Sequence, residues 1–125
     1  RQVFDAARAD YASGHFDRVV AVLKVPDLQR DAEAEFVLGK AHYRLGQLSD
    51  AERAFRTAVA LDPKMGQAWL NHALCLYQQK KPADATRVYE QVQELFATTR
   101  PDLVQRAKVA VDAIKRGTTG RLPAG

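Results

Sequence analysis

Residues 32–64 read AEAEFVLGKAHYRLGQLSDAERAFRTAVALDPK, and this stretch predicts two helices joined by one turn. The first helix is expected to run from Ala32 to about Leu45, because Gly46 is of the residue type that most often ends a helix. Small residues recur where the two helices would have to approach each other closely: Gly39, Ala41, Ala51, Ala54 and Ala58. The stretch therefore predicts a closely packed helical hairpin.

The second helix of this hairpin carries its own start and stop signals. Ser49 is expected to be its N-cap, and Glu52, three residues later, completes a capping box. The helix is expected to end at Leu61, because Pro63 cannot continue it.

The same pattern returns further along the chain at a fixed interval. Tyr43, Ala51 and Phe55 are each followed, 34 residues later, by Tyr77, Ala85 and Tyr89. A fixed period of this length indicates stacked repeats, none of which can bury its apolar face alone.

This pattern resembles the tetratricopeptide repeat family, whose signature is W-x2-L-G-x2-Y, then A-x3-F, then P, in a helix-turn-helix unit. Five residues match it directly: Leu38, Gly39, Ala51, Phe55 and Pro63. Glu35 stands in the Trp place and His42 in the Tyr place of this copy, whereas Trp69 occupies the Trp place of the next copy. The resemblance covers roughly residues 3–96, and it implies an all-α, right-handed helical-repeat solenoid.

Three repeats and a capping helix are expected to form one domain over residues 1–117. The repeats are placed at about 1–30, 32–65 and 66–99, and the capping helix at about 101–116. Residues 118–125 lack apolar periodicity and are expected to form a flexible tail.

The first repeat departs from the regular period. Tyr11 and Gly14 precede their counterparts by 32 residues instead of 34. We expect the deficit in a tight or irregular connection around Pro26–Asp27. Asp17 is expected to be the N-cap of the second helix of this repeat.

The third repeat and the cap carry different end signals. The turn of the third repeat contains Lys80 and Lys81 in place of glycine, and Pro82 suits the first position of the following helix. Gly117 suits the position after the last helix.

Composition and charge are ordinary for a globular domain. The chain has 125 residues, of which 46% are hydrophobic and 27% charged. Residues 1–99 hold equal numbers of basic and acidic residues, so the net charge of +4 lies in residues 100–125. A basic end can attract nucleic acid, anionic lipid or an acidic partner, but no nucleic-acid-binding motif accompanies it. A solvated cap helix is the favoured interpretation, and the compartment stays open between cytoplasm and periplasm.

No motif points to an enzyme, a cofactor or a metal. The sequence lacks a glycine-rich phosphate loop, CxxC and HExxH. Cys75 falls in a small-residue position and is expected to be buried packing. His15, His42 and His72 are spread one to a repeat, and packing or surface roles are expected for them.

The resemblance implies a site for a partner protein. In this family, the first helices of successive repeats line a concave groove that holds an extended peptide or a helix. Carried over by register, ten side chains belong to that groove: Phe4, Arg8, Tyr11, Phe36, Lys40, Tyr43, Leu70, Asn71, Leu74 and Tyr77. The tyrosines suit either the groove or the core between helices, whereas the two basic residues are expected at the surface because buried unpaired charge is costly.

One subclass of the family is disfavoured by the residues present. Its co-chaperones hold the terminal carboxylate of heat-shock chaperones with Lys and Asn, and only Asn71 resembles such a residue here. The predicted function is a protein–protein interaction module (a scaffold, adaptor or chaperone) that binds a peptide or amphipathic segment. The alternative is a self-assembly module with oligomer contacts at Phe4 or Trp69. Nucleic-acid binding through the basic end is less favoured.

Overall fold

The computed structural model describes residues 2–24 and 31–117, and all regular secondary structure in these ranges is helical. The seven helices are α1 (Gln2–Ala12), α2 (Phe16–Leu23), α3 (Ala32–Arg44), α4 (Leu48–Leu61), α5 (Gly66–Gln78), α6 (Pro82–Leu95) and α7 (Pro101–Arg116). They confirm the predicted all-α class. The predictions for the connection at Pro26–Asp27 and for the tail at 118–125 fall outside the described residues.

The chain divides into two compact units, which are described separately. Unit 1 spans Arg1–Lys64 and contains α1 to α4, and unit 2 spans Met65–Gly125 and contains α5 to α7. In unit 1, the core is built from the apolar faces of all four helices: Phe4, Ala7, Val19, Leu23, Ala34, Val37, Leu38, Ala41 and Ala54. Apolar positions spaced three or four apart along each helix produce these faces.

Close approach of α3 and α4 depends on Gly39. A Cβ atom at this position would lie only 2.7 Å from the Phe55 ring, so a larger residue would force the ring away. Ala51, Ala54 and Ala58 are buried on the same helix as Phe55. The prediction that small residues mark the close approach is therefore confirmed.

The core of unit 2 joins α5, α6 and α7. Its buried members are Leu70, Ala73, Leu76, Ala85, Val88, Tyr89, Val92, Phe96, Leu103, Ala107, Ala110 and Val111. The Leu103 side chain of α7 lies directly against Gly66 at the start of α5, where any side chain would collide with it. Helix α7 is thus an integral part of unit 2, as expected of a capping helix with one apolar face.

Glycine residues in the left-handed backbone conformation follow the ends of three helices, α1, α3 and α7. Gly14, Gly46 and Gly117 have φ values of 83°, 78° and 70°, a conformation in which glycine has no Cβ penalty. The corresponding turn after α5 contains Lys80 at φ 64°, so a non-glycine residue takes the same conformation there. Gly46 and Gly117 end their helices as predicted.

The predicted N-caps at Ser49 and Asp17 are wrong, because both helices begin earlier. Helix α4 makes its first helical hydrogen bond from Ala51 N to Gln47 O at 2.9 Å, so Gln47 is the N-cap. Helix α2 likewise has His15 as its N-cap. Each N-cap residue donates its backbone N–H to a carbonyl oxygen of the preceding helix. The N···O distance is 2.9 Å for Gln47 and 2.8 Å for His15, and the next helix begins at the following residue.

The starts of α3 and α6 follow familiar sequence signals. Asp31 is the N-cap of α3, and its carboxylate accepts hydrogen bonds from the backbone N–H groups of Glu33 and Ala34 at 2.9 and 3.3 Å. Helix α6 begins at Pro82, as predicted, because the fixed φ of proline suits the first helical turn.

Candidate partner-binding surface

One surface of unit 1 brings basic groups into contact with aromatic rings. The Lys40 Nζ atom lies 4.7 Å from the centre of the Tyr11 ring and 5.0 Å from the centre of the Phe36 ring. The guanidinium carbon of Arg8 lies 5.8 Å from the centre of the Phe4 ring. These separations are typical of cation–π contacts. Helices α1 and α3 therefore bring together four of the predicted side chains, Arg8, Tyr11, Phe36 and Lys40.

The same surface continues to two residues that the sequence prediction missed. The Tyr11 and Phe16 rings meet edge to face with their centres 5.1 Å apart, and the guanidinium carbon of Arg44 lies 4.9 Å from the centre of the Phe16 ring. Six side chains form this surface, which we call the cation–aromatic strip: Arg8, Tyr11, Phe16, Phe36, Lys40 and Arg44. Arg44 was detectable in the sequence, because it follows Lys40 by four residues on one helix face. The contact of Phe16 depends on how α2 packs against α1.

The strip is electropositive. Burial, together with the nearby Arg8 guanidinium, lowers the pKa of the half-buried Lys40 ammonium group. In the ranges that the structure describes, no carboxylate forms an ion pair with Arg8, Lys40 or Arg44. The strip thus offers three basic groups and adjacent ring faces to an acidic ligand.

The predicted tyrosine row has an intermediate environment. Tyr11, Tyr43 and Tyr77 are all half-buried. The Tyr77 ring, like that of Trp69, packs against the core of unit 2. Each of these side chains is partly covered and keeps part of its surface exposed, which is the arrangement that suits tyrosine at an interface.

Four predicted groove residues are buried, and their expected exposure needs correction. Phe4 is 2% exposed and Leu70 is 0% exposed, and both belong to the core of their own unit. Asn71 and Leu74 are also buried. Helical register alone does not separate these positions from exposed ones, because the first helix of a repeat packs on two sides. Burial narrows the predicted binding set to six side chains with some surface: Arg8, Tyr11, Phe36, Lys40, Tyr43 and Tyr77.

Two other kinds of site have no support in residues 2–24 and 31–117. These residues contain no group of three or more His, Cys, Asp or Glu side chains arranged to hold a metal ion. None of the helices in these ranges combines the length and apolar character that crossing a bilayer requires. Cys75 is buried, in agreement with a packing role.

The sequence matches a family model over half of its length. Residues 36–98 match the model described as tetratricopeptide repeat. This range includes α4, α5 and α6 and most of α3. No curated protein sequence matches the chain.

Solved structures resemble the chain over nearly its whole length. The Yersinia enterocolitica type III secretion chaperone SycD, in complex with a peptide of the translocator YopD, matches with a TM-score of 0.82 and 25% sequence identity, over 94% of this chain and 92% of that chain. The same chaperone in an alternative dimer matches with a TM-score of 0.80 and 24% identity, over 94% and 92% of the two chains. A T3SS complex from Aeromonas hydrophila matches with a TM-score of 0.82 and 20% identity, over 96% and 83%.

Proposed function

Because the chain belongs to the tetratricopeptide repeat family, we propose that it is a chaperone that binds an extended or helical segment of a partner protein. Protein–protein interaction is the function that the family match and the secretion chaperone relatives support. The same relatives support a non-enzymatic protein.

The observation that carries this proposal is the cation–aromatic strip of unit 1. Aromatic and arginine side chains supply a large share of the binding energy at protein interfaces. Here Tyr11 and Phe36 hold the Lys40 ammonium group between them, and Arg44 extends the surface past Phe16. Rings that already pack against their neighbours lose little side-chain entropy when a partner binds.

The chemistry of the strip suggests the character of the bound segment. Its basic groups favour acidic side chains, and its ring faces favour apolar ones. SycD has been seen with a peptide of a translocator protein. By analogy, we propose that this chain holds a segment of a client protein, with acidic residues against Arg8 and Lys40 and an apolar residue against Tyr43.

A binding measurement tests this function. Proteins that co-purify with the chain from its native source would be identified by mass spectrometry, and the purified partner would be titrated calorimetrically. The double variant Lys40→Ala, Tyr43→Ala is expected to weaken binding at least ~10-fold, equivalent to ~1.4 kcal/mol, with helicity unchanged. Arg56→Ala, at an exposed position of α4, is the control. Equal affinities for the double variant and the control would contradict the proposal.

Self-association is a second candidate, since a dimeric form of SycD is among the structural relatives. Phe4 is buried, so of the two aromatic faces expected to serve such contacts only Trp69 keeps part of its surface exposed. Size-exclusion chromatography with light scattering separates the two candidates. A tight oligomer whose mass does not depend on concentration, and which is lost in Trp69→Ala, would favour self-assembly.

A further inference from the structure

Unit 1 contains a cavity that the partner-binding surface does not use. It has a volume of about 390 Å³ and is partly open to solvent. Six polar side chains from the end of α2, from α3 and from α4 line it: Lys24, Glu35, His42, Asp50, Arg53 and Thr57. The cavity is within the size range of small-molecule sites and is far larger than a single water molecule requires.

The cavity is lined by the two residues that depart from the repeat signature in this copy. Glu35 occupies the Trp position of the signature, and His42 occupies its Tyr position. They are seven residues apart and therefore share one face of α3. Asp50 and Thr57 are also seven apart, and they line the cavity from α4. Two large aromatic rings of the signature are thus replaced by polar groups at the wall of one cavity.

The Glu35 carboxyl group is the central feature of this wall. The residue is 7% exposed, and in the described part of the chain its side chain has no hydrogen bond and no ion pair. Two basic residues line the cavity, but Arg53 faces Asp50 at 3.7 Å and Lys24 is at the exposed end of α2. The carboxylate lies at the wall of a partly open cavity, where it is less hydrated than in bulk water and has no protein partner among the described residues, so a charged donor that enters the cavity would be favoured.

Two other groups that line the cavity, one from His42 and one from Thr57, are also hydrogen-bond acceptors. His42 is 3% exposed, and its Nδ1 atom lies 2.7 Å from Gln47 Oε1. Since Oε1 accepts, Nδ1 donates, and in the uncharged ring Nε2 is then the acceptor. The Thr57 hydroxyl donates to the backbone carbonyl of Arg53 at 3.0 Å, which leaves its lone pairs available. The cavity therefore favours a ligand with several N–H donors.

The side chains at the mouth limit the ligand further. Lys24 and Arg53 are exposed and basic. They would repel a second positive charge at the outer end of the ligand and would tolerate a neutral or anionic one. A metal ion does not fit, because no three His, Cys, Asp or Glu side chains in residues 2–24 and 31–117 are placed to hold one.

From these contacts we infer that the cavity is a binding site for a guanidinium group of the arginine type, held by Glu35 with His42 and Thr57 around it. The planar guanidinium offers five donors and matches a carboxylate with two parallel hydrogen bonds. The guanidinium belongs either to free arginine or to an arginine side chain of another protein. This inference does not rest on the chaperone function, because it concerns a different surface of unit 1.

Titration of the full-length chain with small ligands tests the inference. Backbone amide signals of α3 and α4 in heteronuclear NMR spectra would be followed with L-arginine and with L-citrulline, which has a similar shape but a neutral urea group. We expect saturable shifts with arginine and at least ~10-fold weaker binding of citrulline. Binding of N-acetyl-arginine amide at least as tight as that of arginine would identify a protein side chain as the source. Tighter binding of free arginine would identify the amino acid.

Two matched substitutions complete the test. Glu35→Gln keeps the size of the side chain and removes its charge, and it is expected to weaken arginine binding at least ~10-fold. Glu94→Gln, at an exposed position of α6, is the control and should leave binding unchanged. Absence of saturable binding of either arginine ligand, equal binding of citrulline, or unchanged binding in Glu35→Gln would each overturn the inference.

Discussion

The Lys40 ammonium group of α3 lies 4.7 Å from the centre of the Tyr11 ring of α1. It lies almost as close to the Phe36 ring one turn earlier on its own helix. A partly buried cation held between two rings is worth roughly 0.5–2 kcal/mol, so this contact helps to fix α1 against α3. The same contact holds the ammonium group in place, so little side-chain entropy is lost when an acidic residue of a partner binds to it.

Binding of the partner should therefore depend on salt. If acidic residues of the partner face Arg8 and Lys40, then affinity falls as ionic strength rises, because exposed charges are screened beyond ~8 Å at physiological salt. The double variant Arg8→Gln, Lys40→Gln should bind more weakly and show a smaller salt dependence. Calorimetric titration at low and high salt measures both effects. An unchanged salt dependence in the variant would place the acidic contacts elsewhere, with the basic residues of α7 as the next candidates.

Overpacking should destabilise both helical hairpins. Ala51 of α4 and Ala85 of α6 are fully buried. Replacing either with leucine forces three additional carbon atoms into a packed contact and is expected to lower the free energy of unfolding by ~1–3 kcal/mol. Ala60→Leu, at an exposed position of α4, is the control. Urea denaturation measures the differences, and unfolding midpoints equal to that of the control would show that these positions lie outside the helix contacts.

The residues that recur at the repeat period predicted the fold, because the residue types at these positions are set by burial between packed helices. Ala51 and Ala85, one period apart, are both fully buried, and Gly39 lies against Phe55 as their spacing required. The N-caps were less predictable. Ser49 has the stronger capping side chain, but the hydrogen bond that follows the left-handed Gly46 makes Gln47 the N-cap. Backbone geometry at the turn therefore outweighed side-chain preference.

The candidate sites depend on contacts between helices, which a single sequence shows only in part. Register predicted that Lys40 and Tyr11 belong to one surface, and the structure brings them together. Register did not distinguish the buried Leu70 from the half-buried Lys40, which lies at a nearby position of another repeat. Glu35 was recognisable as a departure from the signature, but the cavity beside it is formed by the packing of the end of α2 with α3 and α4, which the sequence alone does not show.

The strained turn after α5 provides a stabilising substitution. Lys80 has φ 64°, whereas the equivalent turn after α3 has Gly46 at φ 78°. Lys80→Gly should relieve the Cβ strain and raise the free energy of unfolding by up to ~1 kcal/mol, since the more flexible unfolded chain offsets part of the gain. Gly46→Lys should lower it by ~1–2 kcal/mol. Urea denaturation of both variants would contradict this account if the two changes had the same sign.

The capping helix should be essential to unit 2 on one face only. Leu103 is buried against Gly66, whereas Val109 of the same helix is half exposed at 48%. Leu103→Ala should lower the free energy of unfolding by ~2–5 kcal/mol, because it leaves a cavity in the core. Val109→Ala should change stability by no more than ~0.5 kcal/mol. If both variants unfold at the same denaturant concentration, α7 does not contribute to the core in solution.

The carboxyl group of Glu35 should make stability depend on pH. Burial raises its pKa above the usual value of 4.5. The charged and titratable groups that face the same cavity are Lys24, His42, Asp50 and Arg53. A raised pKa means that the folded state holds the proton more tightly than the unfolded state. The favourable contribution of Glu35 to the free energy of unfolding is therefore complete below pH 4.5. It is lost as the pH rises through the higher pKa of the folded state.

Glu35→Gln imitates the protonated carboxyl group at every pH, so it isolates this contribution. At pH values below 4.5, the variant and the wild-type chain should be about equally stable. At neutral pH, the variant should have the higher thermal midpoint, since it lacks the carboxylate whose charged form burial disfavours. Thermal unfolding followed by circular dichroism across this range measures the difference. A constant difference at all pH values would mean that the Glu35 carboxyl group keeps its ordinary pKa and is accessible to water in the folded chain.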